Sequence, residues 1–351
     1  MRLDANYAAA AAAKGEAYWR KFESTKDPKW IDVATTECLR AIHANDKLPA
    51  AHSCMGNVYR TTGRYQDGAA EFQRAVAIEP TNDDFYRELA HTQQYFSKDE
   101  AEETFKQAIT LRPHYWANYN RLGIYYHDLA RYDDAVHMFQ QVIALAPDCL
   151  YGYGNLGAAY IKLGRYTDAI PVLEKAKAMR PTAVAFSNLG MAYYGSRRFL
   201  ESVQTFEQAA NLSDKNHIIW GNLGDAYYWA PGRRPQAGVA YDRAIPLARE
   251  QLKVNPRDAG VLAQLATYYA MKGDKETALM EIQRALAITS EDTEVQYKAA
   301  IVYNQFKDID KTFEWLEKAV AAGYSRPTIQ NAPNFDSLWG KPRFQQLIRA
   351  N

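Results

Sequence analysis

The sequence is poor in cysteine, in net charge and in long apolar stretches. Three of its 351 residues are cysteines, Cys38, Cys54 and Cys149, and no two of them form a C-x-x-C pair, so the sequence supports neither a disulfide framework nor a zinc ribbon. The 42 Lys and Arg residues nearly balance the 41 Asp and Glu residues, and the resulting net charge of +1 argues against a dedicated nucleic-acid surface. Because no run of 18 apolar residues occurs, we expect no transmembrane helix and no membrane insertion.

The motifs of common catalytic and cofactor sites are missing as well. The chain contains no G-x-x-x-x-G-K-[ST], no G-x-S-x-G, no H-E-x-x-H and no H-R-D combined with D-F-G. The run Gly152–Gly157 (GYGNLG) fits G-x-G-x-x-G, but a dinucleotide loop follows a β-strand, whereas the spacing described below places this run inside a helix. We therefore expect no catalytic residue, no cofactor and no metal in this chain.

A repeat of about 34 residues runs along the chain. Its clearest element is Asn-Leu-Gly with a tyrosine three residues later, as in Asn155–Gly157 with Tyr160. The small residue of this element recurs at positions 56, 90, 123, 157, 190, 224, 266 and 300, at spacings of 34, 33, 34, 33, 34, 42 and 34. We count nine units, starting near residues 8, 49, 83, 116, 150, 183, 217, 259 and 293. Such a period is typical of a solenoid built from repeated helix pairs.

The second half of each unit has its own pattern. A turn such as Gly63-Arg64-Tyr65 is followed by a small residue, a large apolar residue and an alanine, for example Gly68, Phe72 and Ala75. Spacings of four and three place these residues on one face of a helix. The small residues allow two helices to approach closely, and the large ones fill the space beside them.

These motifs resemble the tetratricopeptide repeat (TPR) family over nearly the whole chain. The resemblance implies an all-α solenoid, a right-handed superhelix of helix-turn-helix repeats. We expect the array to span residues 1–322, with 323–351 as a C-terminal capping tail. Phe335–Trp339 and Phe344–Ile348 are amphipathic, and we expect them to cover the open face of the last unit.

Two units are longer than the others. In the first unit, seven extra residues around Ser24–Lys29 are expected between its two helices. In the seventh unit, Pro231–Pro235 is expected to lengthen the turn, and Ala244–Val254 to lengthen the second helix by about two turns. Pro246 lies inside that helix and should kink it.

A groove along the first helices is the candidate binding site. Asn155, Asn188 and Asn222 recur at intervals of 33 and 34 residues, so they should form a ladder whose amides could bind the backbone of an extended peptide. In TPR arrays of the O-linked N-acetylglucosamine transferase type, comparable asparagines bind peptides, which supports this interpretation. The alternative is that these asparagines form hydrogen bonds only within the solenoid. Further side chains are expected near the same groove: Asp225, Tyr194, Tyr228, Trp229, Lys162, Asn120 and His127.

The run Trp220–Arg234 is similar to the TPR arrays that bacterial serine/threonine protein kinases carry C-terminally. This resemblance implies a non-catalytic scaffold that binds a peptide or protein, as the docking or sensory arm of a signalling protein. The alternatives are a substrate-selecting arm of an enzyme whose catalytic domain lies outside this chain, and a self-association module that forms a homodimer. Three unpaired cysteines favour the reducing cytoplasm, although an array tethered outside the membrane also fits the resemblance.

Overall fold

The structure is a computed structural model that describes residues 5–349. These residues form 20 α-helices and one 3₁₀ helix without a β-strand, which confirms the predicted all-α fold. The chain divides into two compact units, Met1–Cys149 and Leu150–Asn351. None of the helices described is long and apolar enough for a membrane crossing.

The first unit consists of four helix pairs in which each helix packs antiparallel against the next one. Their bounds are α1 Ala5–Thr25, α2 Lys29–Ala44, α3 Pro49–Thr61, α4 Tyr65–Ile78, α5 Asp83–Gln93, α6 Lys98–Leu111, α7 Trp116–Asp128 and α8 Tyr132–Leu145.

The second unit consists of five helix pairs followed by a C-terminal segment. Its pairs are α9 Leu150–Lys162, α10 Tyr166–Met179, α11 Ala183–Gly195, α12 Phe199–Leu212, α13 His217–Trp229, α14 Arg234–Val254, α15 Ala259–Lys272, α16 Lys275–Ile288, α17 Thr293–Gln305 and α18 Ile309–Ala321. The C-terminal segment, Tyr324–Ile348, contains α19 Arg326–Asn331, a 3₁₀ helix Pro333–Leu338 and α20 Pro342–Ile348.

Glycines in the first helices allow the two helices of a pair to approach closely. A Cβ atom on Gly123 would lie 2.6 Å from the ring of Phe139, and one on Gly190 would lie 2.9 Å from the ring of Phe206. The large residue in the second helix thus occupies the space that a side chain would need. The sequence pattern of small residues opposite large ones is therefore a packing pattern between the helices of a pair.

The turn inside each pair uses a left-handed backbone position. Gly63 and Gly164 adopt φ angles of 77° and 72° there, whereas Ala130 and Arg197 adopt 58° and 59° at the equivalent positions. The turn has the same shape with or without glycine, because the packed helices on both sides determine it.

The prediction that all three cysteines are unpaired is wrong. Cys38 in α2 and Cys54 in α3 form a disulfide, and only Cys149 is free among the cysteines. Cys38 occupies the place that Phe72 has in the next pair, and Gly15 lies against both sulfur atoms. The disulfide therefore fills the space of the missing aromatic ring, and the cysteine argument for a cytoplasmic location no longer holds.

The long first pair differs from its prediction. Helix α1 continues to Thr25, ten residues past Gly15, whereas α3 ends five residues past the equivalent Gly56. The extra residues therefore extend the helices and do not form a longer loop. In the long seventh pair, α14 extends over 21 residues as expected and continues through Pro246, but Pro235 lies in its first turn and not in the connecting loop.

The C-terminal segment packs on the last helix pair. Phe335, Leu338 and Phe344 are completely buried against a cluster that includes Phe313 and Leu316 of α18. The Arg343 guanidinium also donates to both carboxylate oxygens of Glu317 in α18, at 2.7 and 2.9 Å. The segment thus shields an apolar surface that would otherwise be open at the end of the array.

Candidate functional site

A cavity of about 110 Å³ lies on the inner side of the second unit, and we call it the inner cavity. First helices of three different pairs contribute to it: Met191 and Tyr194 from α11, Asn222 and Asp225 from α13, and the face from Glu294 to Ile301 of α17. Residues three or four apart on a helix share a face, so one stripe of each helix lines the cavity. The first helices of distant pairs therefore face a common inner space.

The C-terminal segment forms another wall of the inner cavity, and Tyr166 of α10 and Phe206 of α12 complete the lining. Tyr324, Thr328 and Asn334 line it from this side. The rings of Tyr297 and Tyr324 stack with their centroids 4.5 Å apart, and the Asn304 side chain donates to the Asn334 carbonyl at 2.6 Å. The segment is held in place by α17 at this wall.

The same segment also reaches the pairs at the beginning of the second unit. Gly164, in the turn before α10, lies so close to Pro327 that a Cβ atom would come within 2.6 Å of the proline Cβ. Arg197, in the turn before α12, forms a two-pronged salt bridge with Asp336. The C-terminal segment thus connects the ninth pair with the fifth and sixth.

Asp225 carries the most enclosed carboxylate of the inner cavity. The Tyr241 phenol donates to its Oδ1 atom at 2.6 Å. Burial raises the pKa of Asp225 above its ordinary value, while the Lys298 ammonium and the Tyr241 hydrogen bond act in the opposite direction. The Lys298 charge and the Tyr241 hydrogen bond therefore do not fully offset the loss of hydration of this carboxylate.

Tyrosines provide most of the aromatic lining. Burial raises the pKa values of Tyr194 and Tyr297 well above the ordinary value, so both phenols stay protonated. Burial also raises the pKa of Tyr166. The walls thus offer neutral rings and hydroxyl groups beside a small number of charges.

Comparison with known proteins identifies the repeat. Residues 112–332 match the family model described as the cilia and flagella-associated protein 70 C-terminal domain, and residues 49–82 match the tetratricopeptide repeat. The chain belongs to this TPR family. Superkiller protein 3 of Schizosaccharomyces pombe is 29% identical over 117 residues, which are 33% of this chain and 8% of that protein. The match therefore spans only a small part of the length of that relative.

Solved structures share the TPR fold. The APC/C hetero-tetramer Cut9-Hcn1 has a TM-score of 0.50 at 16% identity, covering 89% of this chain and 64% of that one. MamA from Desulfovibrio magneticus RS-1 has a TM-score of 0.45 at 24% identity, covering 48% of this chain and 96% of that one. At such identities, these similarities describe the fold alone.

The residues predicted for the TPR groove do not all lie together. Asn222, Asp225 and Tyr194 line the inner cavity. Asn155 and Asn188 are half-buried on α9 and α11 and are not part of its lining.

Two aromatic residues predicted for the groove also lie outside the cavity wall. Tyr228 accepts a hydrogen bond from the Arg234 guanidinium at 2.5 Å and lines a second, shallower pocket with it. Trp229 packs edge-on against Tyr228 at 5.2 Å, and its buried Nε1 atom has no hydrogen-bond partner. Both residues lie at the C-terminal end of α13, beyond the residues of this helix that line the inner cavity.

The other three predicted residues lie elsewhere. Lys162 is exposed at the end of α9. Asn120 and His127 belong to α7 in the first unit, where the His127 ring packs edge-on against Tyr132 at 5.3 Å. The position of a residue within its repeat does not show in which of the two compact units it lies.

The sequence does not predict most of the cavity lining, including its three polar residues on α17: Glu294, Tyr297 and Lys298. A signal for Lys298 was available. It occupies the sixth position of its first helix, the position that Asn155, Asn188 and Asn222 have in theirs. In α17, a lysine replaces the asparagine at this position.

The first unit has a charged cluster at corresponding positions. Arg60 donates to Glu88 at 2.7 Å and to Asn57 at 2.7 Å, and its side chain is almost fully buried. Burial raises the pKa of Glu88, but neighbouring His91 together with the charges of Arg60 and Arg121 outweighs this effect and holds the pKa below its ordinary range. The Glu88 carboxylate is therefore ionised and paired inside the unit.

Proposed function

We propose that the chain is a non-catalytic interaction module that binds an extended peptide or protein segment along the inner side of its first helices. One observation supports this proposal most strongly: the inner side of the second unit already holds a protein segment, residues 324–336 of the same chain. A surface that accommodates this segment has the shape and polarity to accommodate a partner. The C-terminal segment itself is held by contacts at Gly164, Arg197 and Asn304.

The amide ladder remains part of the proposal. Asn188 and Asn222 are half-buried, and no hydrogen bond joins their side chains to other residues described. Each amide can therefore donate to and accept from a peptide backbone. Asn155 already has a partner within the chain, so its contribution is expected to be smaller.

A binding experiment tests the ladder. Dodecapeptides are selected from a random display library with the full chain, and their affinity is measured by calorimetry. We expect the triple variant Asn155→Ala, Asn188→Ala, Asn222→Ala to bind at least about tenfold more weakly, since each amide hydrogen bond contributes about 1 kcal/mol.

Helix α12 offers a matched control. Gln204, Gln208 and Asn211 are three exposed amide side chains on a second helix, and their triple alanine variant should bind like the unchanged chain. Equal affinity of the ladder variant and this control variant would discard the ladder.

The role in signalling belongs to the proposal as well. The run Trp220–Arg234 favours the docking or sensory arm of a signalling protein such as a serine/threonine kinase. None of the relatives named above is described as a kinase, so this assignment depends on the sequence resemblance alone. Light scattering across protein concentration tests the homodimer alternative.

The compartment can be proposed from the cysteines. The Cys38–Cys54 disulfide favours an oxidising location over the cytoplasm, since structural disulfides are rare in reducing compartments. Counting free thiols in protein isolated under alkylating conditions should give one, Cys149. Three free thiols would show that the disulfide is not formed and would favour the cytoplasm instead.

A further inference from the structure

We propose that the inner cavity binds a small zwitterion of the amino-acid class, a molecule whose ammonium and carboxylate groups stand a few atoms apart. The cavity presents both signs of charge: the Lys298 ammonium and the Glu294 carboxylate from α17, and the Asp225 carboxylate from α13. The inner cavity shares Asn222 with the amide ladder proposed above, but binding of a zwitterion does not depend on peptide binding.

Lys298 is available for the carboxylate of a ligand. It forms no salt bridge with any residue that the structure describes, unlike Lys177 and Lys272 in the same unit. Asn222 and Asn334 line the same cavity, and their amides can add hydrogen bonds to a carboxylate oxygen. Lys298 is half-buried and has only the longer-range attraction of Asp225, so a bound carboxylate in direct contact would stabilise its ammonium.

Asp225 is available for the ammonium of a ligand. Its Oδ1 atom accepts from Tyr241, and no described group donates to its Oδ2 atom. The rings of Tyr194 and Tyr297 line the same space. An ammonium that meets a carboxylate is bound by charge-assisted hydrogen bonds, and aromatic rings beside it exclude water from the contact.

The size of the cavity limits the ligand. A cavity of about 150 Å³ accommodates benzene, with its six non-hydrogen atoms, when its walls are apolar, so the 110 Å³ available here suit about four to six non-hydrogen atoms. Glycine, alanine and β-alanine are in this range. Because the binding free energy that a ligand gains per atom has an upper limit, we expect dissociation constants no tighter than about micromolar for a ligand of this size.

Glu294 marks the entrance. It is exposed to solvent while it also lines the cavity, so the inner space opens to solvent beside the first turn of α17. A zwitterion can therefore enter without displacement of the C-terminal segment.

Calorimetry and ligand-observed NMR on the full chain test the proposal. The probes are glycine, L-alanine and β-alanine, with acetate and methylammonium as compounds that carry only one of the two charges. We expect saturable binding of at least one zwitterion, and at least about tenfold weaker binding of both single-charge compounds, since each lost charge-assisted contact costs about that factor. The absence of binding at 50 mM would overturn the proposal, and so would equal binding of acetate or methylammonium.

Two variants separate binding from folding. Lys298→Met removes the ammonium but keeps the aliphatic stem, and Asp225→Asn keeps an oxygen that can accept from Tyr241. Both should lose at least about tenfold in affinity, while the exposed controls Lys215→Met and Asp214→Asn should not. Because Asp225→Asn removes a poorly compensated buried charge, its thermal stability should rise at neutral pH even as binding weakens. Zwitterion binding that is unchanged in both variants would overturn the assignment.

Discussion

Two glycines three residues apart in α9 have different roles. A Cβ atom on Gly157 would overlap the completely buried side chain of Leu173 in α10, whereas a Cβ atom on Gly154 would meet nothing within 4 Å. The residue type is the same, but at Gly157 the packing of the pair requires it. At Gly154, glycine only lowers helix propensity.

We expect opposite effects of alanine at these two positions. Gly157→Ala should lower the free energy of unfolding by about 1–3 kcal/mol, because Leu173 has no room to move. Gly154→Ala should raise it by up to about 1 kcal/mol through helix propensity. Urea unfolding followed by circular dichroism measures both, and a Gly157→Ala variant as stable as Gly154→Ala would contradict the packing role.

Asp225 should make stability depend on pH. Its pKa is raised in the folded protein, so its proton-linked stabilisation is fully present below the unfolded value of about 3.8 and is lost as pH rises through the folded pKa. Asp225→Asn removes the ionisable group, so the variant does not lose stability in this way as the pH rises. We therefore expect the variant to have a higher melting temperature than the unchanged chain at pH 7, with a difference that shrinks toward pH 4.

The control for this pH effect is Asp214→Asn, which alters an exposed carboxylate. Its melting temperature should follow that of the unchanged chain at both pH values. If the gain from Asp225→Asn were the same at pH 4 and pH 7, a cause other than the Asp225 charge would be responsible.

At the scale of helices, the disulfide joins the second helix of the first pair to the first helix of the next one. It closes a loop with a sequence separation of 16 residues. A loop of about this length corresponds to about 3 kcal/mol of stabilisation through the unfolded state. Together with Gly15, which lies against both sulfur atoms, it replaces an aromatic contact.

Reduction should therefore destabilise the first unit. In a Cys149→Ala background, a phosphine reductant should lower the free energy of unfolding of this unit by about 3 kcal/mol, measured by chemical denaturation. Cys149→Ala without reductant should behave like the unchanged chain, since this cysteine is free and only half-buried. An unchanged denaturation midpoint after complete reduction would show that the bond does not stabilise the unit.

The helix pairs are predictable from sequence because their determinants are local. Glycine against a large residue, such as Gly190 against Phe206, recurs at a fixed distance along the chain, and each pair repeats it. The disulfide is not predictable in this way, because two cysteines in neighbouring helices have no spacing motif. Nothing in the local pattern showed that Cys38 stands at the place of an aromatic residue.

The contacts of the C-terminal segment with the first pairs of the second unit cannot be predicted from local sequence patterns either. Arg197 and Asp336 are 139 residues apart in sequence, and the turn at Arg197 looks like every other turn of the repeat. The amphipathic character of the C-terminal segment indicates that it covers something. It does not indicate that the segment also reaches Gly164. The cavity residues of α17 could not be predicted either, because they meet α11 and α13 only in the folded chain.

At the scale of the whole molecule, the C-terminal segment should influence distant helices. Phe335 is completely buried and packs edge-on against Tyr297 at 6.0 Å. Phe335→Ala should release the segment at a cost of about 3–5 kcal/mol. We expect faster amide hydrogen exchange in α17 and also near Gly164, because Pro327 lies there.

The first unit provides the internal control for this experiment. Exchange in α3 and α4 should not change, since these helices belong to the first compact unit, whereas Phe335 packs within the second. Faster exchange confined to α17 and α18, with Gly164 unaffected, would contradict the connection between the ninth and the fifth pair.

This connection also restricts how the second unit can evolve in copy number. Solenoids commonly gain or lose repeats by duplication, because each repeat contacts only its neighbours. Here, one additional pair between α11 and α17 would carry Pro327 away from Gly164 and Asp336 away from Arg197. Duplications are therefore expected to be tolerated outside the stretch from α10 to α18 and selected against within it.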